Sequence, residues 1–215
     1  MKVCTDACLF GALAPLENAT RILDIGTGTG LLALMAAQRS EAKIEAVEID
    51  AAAAQQARQN AAESPWHHRI LITETALQNY RPQKPFDLII SNPPFFVASL
   101  KSEAENEQVA KHSALLSFAE IVAFAAANLT PGGQLCILLP AYEQQLFADA
   151  AAQANLFAAQ QVLVRNQPQG RVIRAIVTYA FGSQKLVTEE LNIRAADGQY
   201  SDRFRELLKD FYLAF

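Results

Sequence analysis

Cysteine is scarce and odd in number, with only Cys4, Cys8 and Cys136 among 215 residues. Such a set builds no disulfide framework and suits a reducing compartment. Cys4 and Cys8 stand one helical turn apart, but no histidine or further cysteine nearby completes a zinc set. They are expected to be small buried hydrophobes, and no metal site is expected. Long apolar runs are missing too, since none approaches the ~20 residues that cross a bilayer. The stretch Met1–Leu16 has Lys2 and then Leu9-Phe10-Gly11-Ala12-Leu13-Ala14, a faint leader-like pattern. Asp6 sits where a leader's apolar region belongs, and a strand follows at once, so the expectation is a cytoplasmic protein. Positive charge is in short supply, with 18 Lys and Arg against 22 Asp and Glu and a net charge of −4. That excludes a protein that coats nucleic acid without specificity and leaves room only for local basic patches. There are no repeats or low-complexity tracts. At 51% hydrophobic and 19% charged residues, the composition excludes disorder, collagen and coiled coil. The length fits one domain spanning residues 1–215.

What is present is an alternation of two element types. Arg21–Ile25, Lys43–Glu48, Arg69–Thr73, Phe86–Ser91 and Gln134–Leu139 read as short apolar strands. Leu31–Gln38, Ala51–Glu63, Ser117–Leu129 and Gln144–Ala154 read as helices, the third stopped by Pro131-Gly132-Gly133. Near-continuous apolar strands separated by helices predict a doubly wound, mostly parallel sheet covered on both faces. Leu156–Val164 and Arg174–Ala180 are β-rich and close together, which predicts a hairpin forming an antiparallel edge. The polar stretch Phe95–Ser113 is long for a compact domain, and such loops are functional, mobile or solvated insertions.

The first strand runs into Asp24-Ile25-Gly26-Thr27-Gly28-Thr29-Gly30 and then a helix. Glycines at a strand-to-helix turn let the backbone approach a ligand. Dinucleotide folds space them G-x-G-x-x-G, with a pyrophosphate on the helix N-terminus. Here the pattern is D-x-G-x-G-x-G. An acid before the first glycine repels a pyrophosphate and suits the cationic amino-acid end of S-adenosylmethionine. The second strand ends in Glu48-Ile49-Asp50. An acid at that tip, ~20 residues past the glycines, can accept both ribose hydroxyls. Asp24, Gly26, Thr27, Gly28, Gly30, Glu48 and Ile49 are therefore candidate S-adenosylmethionine residues. Thr75 and Ala76, after the third strand, are candidates for reading the adenine edge.

The fourth strand ends in Ser91-Asn92-Pro93-Pro94-Phe95. Two prolines fix φ and make a rigid turn without donors. An amine conjugated to a ring is a poor nucleophile because its lone pair is delocalised. The Asn92 side-chain carbonyl and the Pro93 backbone carbonyl can accept its two N–H bonds, pull the nitrogen towards tetrahedral geometry and free the lone pair for attack on a sulfonium methyl. That is catalysis by orientation and hydrogen bonding, without a strong base. Phe95 offers a ring for stacking an exposed base, at about 1–3 kcal/mol per base. Asn92, Pro93, Pro94 and Phe95 are thus the candidate catalytic residues, with Asn92 also facing the cofactor.

On Asp24–Gly30, Glu48 and Asn92–Phe95 the sequence resembles the class I S-adenosylmethionine-dependent amino methyltransferases. Lys2-Val3-Cys4-Thr5-Asp6-Ala7 with Leu9 and Gly11-Ala12, and Leu208–Leu213 at the other end, resemble one branch of them, the valine-tRNA adenine-37 N6-methyltransferases. The resemblance implies a Rossmann-like sheet of seven strands and methyl transfer to N6 of the adenine beside the anticodon. That base lies in a single-stranded loop and costs little to expose. It also implies that Thr5 and Asp6 lie near the cofactor, while as a local pattern they read as the N-cap of a helix Ala7–Ala14. Members of this branch carry a short segment before the Lys-Val-x-Thr-Asp stretch, where this sequence has Met1 directly. On that reading the start was assigned late or a lid is missing.

The expected partner is a tRNA. Arg165, Arg171 and Arg174, and Lys101, Lys111 and His112 beside the catalytic loop, are candidate phosphate contacts. Trp66-His67-His68 reads as plain packing, and neither histidine is placed for catalysis. The terminal Phe211–Phe215 is apolar and packs on its own sheet or on a partner. Asn-Pro-Pro-aromatic loops also serve guanine-N2 methyltransferases of ribosomal RNA and glutamine methyltransferases of release factors, which usually carry a second N-terminal domain. A cofactor-binding module without catalysis is a third reading, opposed by the intact Asn92–Phe95.

Overall fold

The computed structural model describes residues 4–93 and 116–213. The strands are β1 Arg21–Ile25, β2 Lys43–Glu48, β3 Ile70–Glu74, β4 Phe86–Ser91, β5 Leu129–Pro140, β6 Leu156–Arg165, β7 Val172–Phe181 and β8 Val187–Asn192. They form one sheet in the order β3-β2-β1-β4-β5-β7-β6-β8. The five strands from β3 to β5 are mutually parallel. The strand β7 runs antiparallel to both β5 and β6, and β8 pairs parallel with β6. The expected hairpin is β6–β7. The sheet has eight strands where seven were expected, and the reversed strand lies inside the sheet, with β8 outside it at the edge. The outer strand escaped the sequence because only Leu191 of its six residues is buried, so it shows no apolar run.

The helices are α1 Thr5–Leu13, α2 Leu31–Arg39, α3 Ala51–Glu63, α4 Phe118–Asn128, α5 Gln144–Gln153 and α6 Asp202–Leu208. Period-2 alternation along the strands assigns side chains to the two faces. Ile22, Leu88, Ile90, Cys136 and Leu138 pack with Phe10 of α1, Met35 of α2, Ala57 of α3 and Phe204 of α6. Their chain neighbours Leu23, Ile89, Leu135, Ile137 and Leu139 pack with Ile121 of α4 and with Phe147 and Ala151 of α5. At roughly 1.5–3 kcal/mol for each fully buried large side chain, these two layers are what holds the sheet flat against its helices. Phe211 and Tyr212 pack against the first layer, on the chain's own core.

Local signals set the helix ends. The Asp50 side chain accepts from the Ala53 N–H at 2.8 Å and starts α3. Ser117 and Glu120 form a reciprocal capping box at the start of α4. That helix ends at Asn128, and Pro131-Gly132-Gly133 lies within β5, where the register against β4 slips between Phe86 and Leu88. No helix among the described residues is long and apolar enough to cross a membrane.

Candidate active site

The C-terminal ends of β1, β2, β3 and β4 share one rim of the sheet, because these strands are parallel neighbours. In open parallel sheets ligands bind outside that rim. A cavity of about 410 Å3 sits there, lined by Gly26, Thr27, Gly28, Glu48, Ile49, Thr75, Ala76, Asn92 and Pro93 among others. Nine of the residues singled out in the sequence are thereby brought to one wall. The lining is mostly apolar with a few convergent polar groups, the usual build of a small-molecule site.

The glycine loop is pinned from below. The Gly26 and Thr27 N–H groups both donate to the Val47 carbonyl at the end of β2, at 2.9 and 3.1 Å. Asn60 of α3 donates its side-chain amide to the Thr29 carbonyl at 2.8 Å. Gly26, Gly28 and Gly30 lie at φ +70°, +59° and +87°, the left-handed region that favours glycine. At Gly26 a Cβ would point into open space within the cavity wall, and at Gly30 it would meet Ala57 Cβ at 3.4 Å. The first glycine thus leaves room for a ligand and the last leaves room for α3.

Two acids close the strand ends differently. Glu48 is nearly buried, and its Oε2 accepts from the Gly28 N–H at 2.8 Å while Oε1 accepts from the Asp50 N–H at 2.9 Å. Each oxygen keeps acceptor capacity beyond these bonds, and Glu48 lines the cavity. Its backbone carbonyl accepts from the Thr75 N–H at 2.8 Å, which ties β3's end to the same wall. Asp24 is fully buried and is not part of the cavity lining. Its Oδ2 accepts from the Thr27 hydroxyl at 2.5 Å, and Oδ1 is buried with no hydrogen-bond partner. Burial pushes the Asp24 carboxyl up to about 7, opposed by the Thr27 hydroxyl and reinforced by the nearby Glu48.

Asp24 therefore sits under the loop, holding it through Thr27, rather than at the cavity wall where the sequence placed it. Gly30 likewise lies behind the wall, as the N-cap of α2. Thr5 and Asp6 are also absent from the lining, which takes their neighbours Cys4 and Ala7 instead. They cap nothing, because α1 begins at Thr5 and Cys4 is its N-cap. The Asp6 carboxylate lies 2.8 Å from Arg174 Nε of β7, and Thr5 hydrogen-bonds the Tyr212 side chain. At the end of β4 the buried Ser91 hydroxyl donates to the Ile25 carbonyl at 2.9 Å. That bond fixes Asn92 and Pro93 beside the glycine loop. Pro94 and Phe95 lie outside the described residues, as do Lys101, Lys111 and His112.

Residues 7–167 match the methyltransferase small domain family. A tRNA1(Val) (adenine(37)-N6)-methyltransferase of Bacteroides thetaiotaomicron is 41% identical over 215 residues, covering 99% of this chain and 91% of its own. The protein of the same name from Dyadobacter fermentans is 43% identical over 220 residues, covering 100% and 92%. This chain belongs to the tRNA1(Val) (adenine(37)-N6)-methyltransferase family. The fold of this family member is also that of a crystal structure from Agrobacterium tumefaciens titled a predicted O-methyltransferase, with a TM-score of 0.76, 21% identity and 95% coverage of both chains.

In this adenine-N6-methyltransferase family member, Cys4, Ala7, Leu31, Leu77, Gln78 and Leu116 also line the cavity. Leu77 and Gln78 directly follow Thr75-Ala76 and were within reach of the same reasoning. Cys4 and Leu116 come from distant parts of the chain and carry no local signal. Among the candidate RNA contacts, Arg165 lies 3.0 Å from Glu190 and Arg174 is held by Asp6, while Arg171 is exposed. Trp66 is packed against the core, and His67 and His68 meet edge to face at the surface with ring centroids 5.6 Å apart.

Proposed function

We propose that this chain, working as one catalytic domain in the cytoplasm, transfers a methyl group from S-adenosylmethionine to N6 of adenine 37 in tRNA1(Val). The observation that carries the reading is the meeting of the glycine loop, Glu48 and Asn92-Pro93 on one cavity wall, in a chain similar over its full length to enzymes of that name. The residues fit the cofactor. Gly26 faces open space, so nothing but backbone meets a bound ligand there. Glu48 keeps a lone pair on each oxygen for the two ribose hydroxyls. Ile49 is 59% exposed beside Thr75 and Ala76, an apolar surface for a purine ring.

When bound, S-adenosylmethionine would supply a sulfonium methyl for attack by the adenine amine, with the C–S electron pair returning to sulfur and one N6 proton released to solvent. The chain's own part is to prepare the amine. Asn92 accepts one N6–H through its side-chain carbonyl and Pro93 accepts the other through its backbone carbonyl, which reduces conjugation of the lone pair with the ring. Pro93 is buried and cannot donate, so the acceptor geometry is set before substrate arrives. Asp24 acts through Thr27 as a positioning residue for the loop. Pro94 and Phe95, which follow in the sequence, lie outside the described residues.

The test is methyl transfer from labelled S-adenosylmethionine to unmodified tRNA1(Val), followed by nucleoside analysis. N6-methyladenosine at position 37 is the expected product. N2-methylguanosine, label on a protein glutamine, or cofactor binding without turnover would each replace the reading.

A further inference from the structure

The rim that carries Asn92 and Pro93 continues across β5 and β7. Ser91 lies opposite Ile137, so two residues on Pro93 comes level with Leu139, and β5 ends one residue later at Pro140. The chain then makes a single 3-10 turn, Ala141–Glu143, and enters α5. Strand spacings of ~4.8 Å across and ~3.3 Å along put Tyr142 roughly 10 Å from Pro93, on the outer side of the rim. Opposite Pro140 stands Arg174 of β7, the residue whose guanidinium holds Asp6 of α1 beside the cavity-lining Cys4 and Ala7.

Tyr142 is 64% exposed, and so is Leu146 one helical turn later. Tyr142 stands in the 3-10 turn and Leu146 in the first turn of α5 that follows it, so the two exposed side chains are close in the chain. Tyr142 is the one large aromatic side chain among the exposed large hydrophobics of the described residues. The methyl-transfer function proposed above does not use it. An exposed aromatic ring a short step from the acceptor turn matches what single-stranded RNA needs, because unstacked loop bases are held by stacking on aromatic faces. The β6–β7 hairpin turn leaves the same rim and carries the exposed Arg171, a cation for the backbone of a strand lying across Tyr142.

We propose that Tyr142, supported by Leu146, is a base-stacking platform for the nucleotide next to the methylated adenine, and so a specificity-determining residue of the RNA substrate. The assignment rests on the RNA methyltransferase reading above. The ring selects for a splayed, single-stranded loop, because a base kept in a duplex stack cannot cover it. The target adenine enters the Asn92–Pro93 turn while its neighbour is held outside.

The test uses the full chain with unmodified tRNA1(Val) transcripts. In Tyr142→Ala the KM for tRNA should rise about tenfold, within the range that loss of one stacked base gives, while S-adenosylmethionine affinity measured by calorimetry stays within error. Tyr142→Trp and Tyr142→Phe, which keep a ring, should restore KM relative to the alanine variant. Transcripts with an abasic site on one side or the other of adenine 37 identify the stacked base. At one of the two positions the lesion should raise the wild-type KM by the same factor and add nothing in Tyr142→Ala. An unmoved KM in Tyr142→Ala, a fall in cofactor affinity, a ring variant as poor as alanine, or fully additive effects at both abasic positions would overturn the assignment while leaving the methyltransferase reading intact. A wild-type chain that does not methylate the tRNA overturns both.

Discussion

The strands β1 and β2 carry acids at both rims of the sheet, and the two rims treat them in opposite ways. At the N-terminal rim Glu45 is flanked by Arg21 at 2.5 Å and takes a hydrogen bond from the Tyr80 hydroxyl. Arg21 also stacks over Phe86 at 5.2 Å, and Arg69 donates to the Ala37, Ser40 and Ala42 carbonyls behind α2. A groove of about 550 Å3 lies among them. At the C-terminal rim Asp24 and Glu48 are buried and, among the described residues, neither forms an ion pair with a cation. They are held by a hydroxyl and by backbone N–H groups instead. Leaving carboxylates without a cation in a buried wall costs free energy that folding alone does not recover. Charges at the first rim pair with one another, whereas at the second Asp24 holds the glycine loop through Thr27 and only Glu48 lines the cavity.

Four substitutions can break or sharpen that contrast. The largest effect is expected at the C-terminal rim from Asn92→Ala, which removes the acceptor proposed for the reacting amine. Methylation should fall by roughly 10²–10³-fold or more, as when one oriented transition-state hydrogen bond is lost. Cofactor affinity by calorimetry should stay nearly unchanged, and equal loss of both would contradict the assigned role. Next comes Glu48→Ala, which deletes the acceptors proposed for the ribose and frees the Gly28 and Asp50 N–H groups. S-adenosylmethionine should bind roughly 10–100-fold more weakly, on the scale of hydrogen bonds to a charged group. Unchanged affinity would move the ribose site elsewhere.

Asp24→Asn addresses stability against pH. The folded carboxyl, pushed up to about 7, lies above its ordinary value near 4. Between those values the folded chain binds more protons than the unfolded one, so stability falls as pH rises from about 4 to about 7 and is level above that. The asparagine variant should lose that decline in urea titrations run across the window. An identical slope in both proteins would mean that the carboxyl is ionised throughout. The smallest effect is expected at the other rim. Arg21→Ala should lower stability by at most about 1 kcal/mol, since the pair is partly exposed, with methylation rates at 25 °C kept. A selective loss of turnover there would abolish the division between the rims.

The parallel half of the sheet was legible because its chemistry is local. Arg21–Ile25, Lys43–Glu48 and Phe86–Ser91 are read at their true bounds, since buried parallel strands are apolar throughout and each ends in a polar turn. The cavity-lining glycines, Glu48 and Asn92-Pro93 follow from position on those strands. What stayed hidden depends on distant partners. Asp6 finds Arg174 across 168 positions, and nothing in either neighbourhood announces the other. Asp24 looks like a ligand residue in sequence, yet the direction of its side chain is set by Thr27 and by complete burial. The strand β8 and helix α6 were missed because one shows almost only its polar side and the other is seven residues long.

The reversed strand β7 has a consequence for how such an enzyme can change. Because β7 runs against its neighbours, the β6–β7 turn, residues 166–171, emerges at the same end of the sheet as the cavity, whose lining comes from the ends of β1 to β4, from α1 and α2 and from Leu116, and takes no residue of that turn. Insertions, deletions and recombination in that turn leave the methyl-donor half untouched. Selection can therefore retune which nucleic acid is admitted, one loop length at a time, without re-evolving the reaction.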